Sequence, residues 1–316
     1  MLQWARARCM WDERTCAFAA YHGHLAVLRW SREGSDPPCP WDWRTCAFAA
    51  GRGHLEVLQW AREHDCPWNA QTCEYAAESG YLEVLQWARE HGCDWSAGVC
   101  DGAAMGGHLE VLQWAHEHDC PWDSTTCESA AAEGHLAVLQ WAREHHCPWS
   151  AETCSNAAMY VHLEVLQWAR KQNCPWDAGT CAHAAAGGHL TVLHWAREHH
   201  CPWNAPLICR DAATGGHLEV LQWAREHHCP WDTYTCSSAA RNGHLAVLIW
   251  AREHGCPWNS RTCARAAKGG HLAVLQWARE HGCRWDREDC ARWSGAGCAR
   301  LTPDRPRSVS AREAGI

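Results

Sequence analysis

Apolar and polar positions follow one pattern along this chain, and the pattern is written ten times. Around residues 82–88, Leu82, Val84, Leu85, Trp87 and Ala88 form an apolar stripe at helical spacing, with Glu83, Gln86 and Glu90 on the opposite, wet face. Just upstream, Cys73, Ala76 and Ala77 make a second stripe of small residues at i, i+3 and i+4, which lets another helix approach closely. The phrase joining the stripes carries a histidine at 24, 54, 108, 135, 162, 189, 217, 244 and 271, with Tyr81 in the same slot. The spacing is 27 residues, apart from a first step of 30 and a step of 28 where one residue enters before Cys209. A fixed period of this size is the signature of a stacked array, in which each unit contacts only its neighbours. No alternating strand pattern occurs. The expected unit is helix, tight turn, helix, turn, and the fold class is all-α.

The turn chemistry agrees with the stripes. Asn69 stands where a helix N-cap is needed, and the same slot holds Asp12, Asp42, Ser96, Asp123, Ser150, Asp177, Asn204, Asp232, Asn259 and Asp286. Each of these side chains can accept from a free N–H of the first turn, for about 1 kcal/mol. Gly80 and its equivalents close the first helix in the left-handed slot that glycine fills without strain. Val161 takes that slot in the sixth copy, and a β-branched residue there predicts strain or local rearrangement. The second helix ends at Gly92 or at Asp65, Asp119, His146, Asn173, His200 or His228, residue types that tolerate a left-handed backbone. In most copies Cys-Pro-Trp then turns the chain, since proline cannot continue a helix.

The block Ala-Ala-x-x-Gly-His-Leu-Glu-Val-Leu-Gln-Trp-Ala-Arg-Glu-His-Gly-Cys resembles the second half of an ankyrin repeat, over about residues 1–290. On that match Trp87 takes a leucine slot, Cys93 an alanine slot and Trp95 a valine slot. Cys73 stands where the family has the leucine of Thr-Pro-Leu-His, a tetrapeptide this chain lacks. Ankyrin repeats run about 33 residues, and the missing residues are those of the projecting β-hairpin finger. The chain is similar to the compact, tryptophan- and cysteine-rich ankyrin variants of giant viruses and protists. The resemblance implies an ankyrin-like helix-turn-helix solenoid of about ten 27-residue repeats without β-hairpin fingers. It also implies a protein-binding role through the concave groove that the first helices line.

Composition narrows the function classes. A formal net charge of −8 argues against general nucleic-acid binding. No stretch approaches the roughly 20 apolar residues that span a bilayer. The first residues are too charged for a signal peptide. The expectation is a monomer in a reducing, cytoplasmic compartment, with the nucleus also open, and with 23 cysteines held as reduced thiols. They come as Cys-x6-Cys once per repeat, as at Cys66 and Cys73, Cys93 and Cys100, and Cys120 and Cys127, with Cys298 left over. Structural zinc needs four converging ligands and such a pair supplies two, so a zinc-binding Cys/His module stands as the alternative and no cofactor is expected. Catalysis needs one asymmetric constellation rather than near-identical copies, so the chain is read as no enzyme. The 24 tryptophans recur in fixed slots and are read as packing, with non-repeated Trp43 expected at the surface.

Partner information is expected in the slots where the copies differ. These fall on the first helix at positions equivalent to 71, 74, 75 and 78, opposite Cys73 and Ala76. The first two copies offer Arg14, Phe18, Tyr21, Arg44 and Phe48 there. The middle offers Glu74, Tyr75, Glu78, Asp101, Met105, Glu128, Glu152 and Met159, and the last two copies offer Arg241, Arg261, Arg265 and Lys268. The candidate site is this set, for a protein partner of complementary charge; neutral variation on a solvated face is the other reading of the same slots. The array is expected to occupy residues 1–293 with partial units at both ends, followed by a disordered tail at 294–316. Half-units at both ends lead to the further expectation that capping units or an effector domain lie outside this sequence.

Overall fold

The computed structural model describes residues 11–34 and 37–284, so the expected last first helix and the tail at 294–316 lie outside the described residues. Twenty helices and no strand occur among the described residues. The first helices of the repeats are Glu13–Tyr21 (α1), Trp43–Ala50 (α3), Ala70–Glu78 (α5), Gly98–Gly106 (α7), Ser124–Ala132 (α9), Ala151–Met159 (α11), Ala178–Gly187 (α13), Ala205–Gly215 (α15), Thr233–Arg241 (α17) and Ser260–Gly269 (α19). The second helices are Leu25–Glu33 (α2), Leu55–Glu63 (α4), Leu82–Glu90 (α6), Leu109–Glu117 (α8), Leu136–Glu144 (α10), Leu163–Lys171 (α12), Leu190–Glu198 (α14), Leu218–Glu226 (α16), Leu245–Glu253 (α18) and Leu272–Glu280 (α20). The array is an all-α helical repeat stack. It divides into two compact units, one running to Ala184 and including Trp195–Pro202, the other made of Ala185–His194 and the chain from Trp203 on.

Within each unit the first helices pack broadly on one another in series and on their own second helices, whereas successive second helices meet lightly. The small stripe explains the difference. Cys73, Ala76 and Ala77 are fully buried, as are Cys46, Ala49 and Ala50 before them, so the first helices approach without large side chains between them. From the second helix come Val84, Leu85 and Ala88.

The caps form through one hydrogen bond each, from the N–H two residues on. Gln71 N donates to Asn69 Oδ1 at 3.1 Å, Thr125 N to Asp123 Oδ1 at 2.8 Å and Gly98 N to Ser96 Oγ at 3.1 Å. Asn204 departs from the expectation and makes no side-chain cap bond. Pro206 is the reason, because the residue two beyond the cap has no N–H to give. Both turns of the repeat are Schellman motifs. Tyr81 N donates to Ala76 O at 2.9 Å and Gly80 N to Ala77 O at 3.1 Å, and the pattern recurs at Cys93 N to Ala88 O and Gly92 N to Arg89 O. The glycines answer to sterics as well as to φ. A Cβ at Gly80 would lie 2.5 Å from the ring of His108 in the next repeat, which explains why glycine and histidine recur together. Val161 keeps the left-handed backbone at φ +69°, so the strain expected there is present and the turn is not rearranged.

Candidate interaction face

The variable slots lie where helical spacing puts them, on the face of each first helix turned away from its buried thiol. In the first unit Arg14, Phe18, Glu78, Met105, Glu152 and Met159 are exposed, and Tyr21, Arg44, Phe48, Glu74, Tyr75, Asp101 and Glu128 are half-buried. In the second unit Arg241, Arg261 and Lys268 are exposed and Arg265 is half-buried. Each unit carries its own part of the set.

In the first unit the rings touch from one repeat to the next. Tyr21 meets Phe48 edge-on at 5.9 Å between centroids, and Phe48 stacks at 6.4 Å with Tyr75. Arg52 lies 4.1 Å from the centre of the Tyr21 ring. These side chains line a cleft of about 380 Å³ with Gly51, Glu78 and Ser79. Next to it runs a row of carboxylates, one per repeat, in the slot of Glu74, Asp101 and Glu128. Each takes a hydroxyl donor from the following repeat: Ser96 Oγ to Glu74 at 2.7 Å, Thr126 Oγ1 to Asp101 at 2.7 Å, Ser150 Oγ to Glu128 at 2.8 Å. Burial, opposed by the Thr126 bond, raises the Asp101 carboxyl above its ordinary value, and Asp123, Glu128 and Glu74 push the same way. None of Glu74, Glu78, Asp101, Glu128 and Glu152 forms an ion pair with a basic side chain among the described residues. Arg44, by contrast, is held by Asp42 at 2.6 Å.

Sequence reasoning missed the bracing role of these carboxylates. The signal was there, since serine caps appear only at Ser96 and Ser150, the two repeats that follow Glu74 and Glu128. A serine hydroxyl accepts from the helix N–H and donates to the glutamate, which an aspartate cap cannot do.

The thiols are paired differently from their order in sequence. Cys66 belongs with Cys46 of its own repeat, whose Sγ lies 4.0 Å from the Cys66 carbonyl, and does not pair with Cys73 across the boundary. The second thiol of the repeat donates to the cap carbonyl where the repeat began, Cys93 Sγ to Asn69 O at 3.4 Å and Cys283 Sγ to Asn259 O at 3.2 Å. Burial pushes Cys16 up to about 12. Hydrogen bonding to the partner thiol and then burial raise Cys46 and Cys100. Cys16, Cys46 and Cys100 are therefore poor nucleophiles, whereas hydrogen bonds with their partner thiols Cys73 and Cys263 lower Cys93 and Cys283. Among the described residues no three His, Cys, Asp or Glu side chains converge as a metal site, so the ligand set of the zinc module is not assembled there.

The tryptophans pack, as expected, but mostly at a half-buried edge rather than in the core. Among the described second-helix tryptophans only Trp60 and Trp223 are buried. Trp87 stacks at 4.2 Å on His91, meets Trp68 edge-on at 6.0 Å, and Trp68 carries Arg62 at 4.1 Å over its ring. The indoles of the second helices also reach the neighbouring second helix, as where His116 of α8 meets Trp141 of α10 edge-on at 5.6 Å. Trp43 is half-buried, not the exposed ring expected.

No family model matches the chain, and no curated protein matches it either. No helix among the described residues is long and apolar enough to cross a membrane.

Proposed function

We propose that the chain is a non-catalytic scaffold that binds protein partners through the exposed face of its first helices, in the cytoplasm and without a cofactor. One observation carries the reading. Apart from the wet stripe of the second helix at Glu83, Gln86, Glu90 and their equivalents, the slots that repeat are mostly buried, capped or hydrogen-bonded between repeats, and most of the slots that differ lie together on one accessible face. Residues selected for packing converge in a repeat array, and residues free to differ are those a partner can select. The helix-turn-helix unit with its glycine-histidine turn, and the lack of strand among the described residues, support placing the chain beside finger-less ankyrin repeats. In that family's stacking this face lines the concave groove. Such a likeness of fold does not by itself fix a function.

The test uses the second unit, where Arg241, Arg261, Arg265 and Lys268 make a basic patch. Reversing the charge of Arg261, Arg265 and Lys268 together should abolish capture of partners by the full chain and leave its thermal midpoint unchanged. Capture that survives the reversal would remove the support for this face.

A further inference from the structure

We infer that the first-helix face of the first unit takes a proline-rich segment in the polyproline II conformation, with an aromatic or proline anchor and a basic residue at every third position. The inference rests on the reading of that face as a binding surface and names its ligand class.

The period comes first. Packed helices stand about 8–10 Å apart, so the face presents one equivalent slot about every 8–10 Å. A polyproline II helix has three residues per turn and rises about 3.1 Å per residue, so every third side chain returns to the same side after about 9 Å. A β-strand alternates sides, and its every third residue points away. Of the two extended conformations, only the first keeps step with the repeat.

The chemistry of the slots then selects the side chains. Glu74, Asp101 and Glu128 occupy one slot in three consecutive repeats, each anchored by a hydroxyl of the next repeat, so the carboxylates are held in place before any ligand arrives. They lack a basic partner among the described residues, and their mutual repulsion contributes to the raised Asp101 carboxyl. Lysine or arginine on the ligand would relieve that repulsion. Beside the row, Tyr21, Phe48 and Tyr75 line the cleft of about 380 Å³. Successive aromatic rings are the surface on which polyproline II ligands dock, because that helix is already ordered and loses little entropy on binding. Ring cleft and carboxylate row meet at Glu74 and Tyr75, adjacent residues of α5. Ligand polarity follows: anchor over the first three repeats, basic residues over the third to fifth.

Labelled peptides of about fifteen residues, enough to span five repeats, test this by fluorescence anisotropy with the full chain. One carries a tryptophan followed by Lys-Pro-Pro repeats, a second has the same composition with its lysines grouped two residues apart, and a third has glutamate for lysine. The first should bind, and the other two should bind at least about tenfold more weakly. The variant Glu74→Gln/Asp101→Asn/Glu128→Gln keeps every hydroxyl acceptor and removes the charge. It should lose about tenfold in affinity for the first peptide and keep the wild-type thermal midpoint. Equal binding of the two lysine spacings, no binding of any peptide, or an unaltered affinity in the neutralised variant would each overturn the inference. Those results leave the partner capture that depends on Arg261, Arg265 and Lys268 untouched, so failure here is distinguishable from failure of the scaffold reading.

Discussion

Asn69 and Asn204 occupy the same slot of the repeat, and Gly134 and Val161 occupy another, yet the pairs part company in opposite ways. At Asn69 the side chain caps α5; at Asn204 an identical side chain caps nothing, because Pro206 removed the donor. At Gly134 and Val161 the residues differ and the backbone does not, with φ at +78° and +69°. A cap depends on one bond, and one neighbour can delete it. Both turns keep the long Schellman bond, His135 N to Ala130 O at 2.8 Å and His162 N to Ala157 O at 2.9 Å, and both lie between two flanking helices, so the turn survives even a residue that resists it. Regular repeats are therefore built from one fragile device and one robust device.

The turn gives the largest expected effect. Gly80→Val would force the conformation seen at Val161 and also drive a Cβ to within 2.5 Å of His108. A loss of about 3 kcal/mol or more should follow, measured by urea unfolding, since left-handed strain and overpacking add. Loss below about 1 kcal/mol would show that the histidine contact is soft. The reverse change, Val161→Gly, should stabilise by about 1 kcal/mol through relief of strain alone. No gain there would mean that the exposed Val161 side chain has a compensating contact.

The cap is the next lever. Asn69→Ala should cost about 1 kcal/mol, and Asn204→Ala nothing measurable by the same unfolding experiment. Equal losses would sink the account of Pro206. Thr126→Val should also cost about 1 kcal/mol, because the Asp101 carboxylate would lose its 2.7 Å donor at a site where burial already raises it.

Periodicity made the helices, both turn types and all but one of the structurally described caps legible, because each depends on residues within about one turn of each other. The face bearing Phe18, Tyr75 and Glu78 was legible for the same reason. What the sequence hid was contact at a distance of a whole repeat. Glu74 with Ser96, Gly80 with His108 and Cys46 with Cys66 lie 20 to 28 residues apart. Reading one copy in isolation assigns Gly80 to its own turn, and reading the thiols in sequence order puts Cys66 with Cys73. Only stacking shows that the slot partners sit in the next copy or at the far end of the same one.

The smallest expected effect concerns a slot where the copies nearly agree. Thr45, Thr72, Thr153, Thr235 and Thr262 are buried, and their hydroxyls have no hydrogen-bond partner among the described residues. Thr126 differs only because Asp101 stands opposite it. Val99 and Ile208 fill the same slot, fully buried, without any polar atom. An unpaired buried hydroxyl carries a desolvation cost that an isosteric methyl does not. Thr72→Val should therefore raise stability slightly, by about 0.5 kcal/mol, where Thr126→Val lowers it. The sign is the test, read as a shift of the urea midpoint at unchanged slope. A loss at Thr72 matching that at Thr126 would mean that both hydroxyls are satisfied, and the contrast with Asp101 would fall.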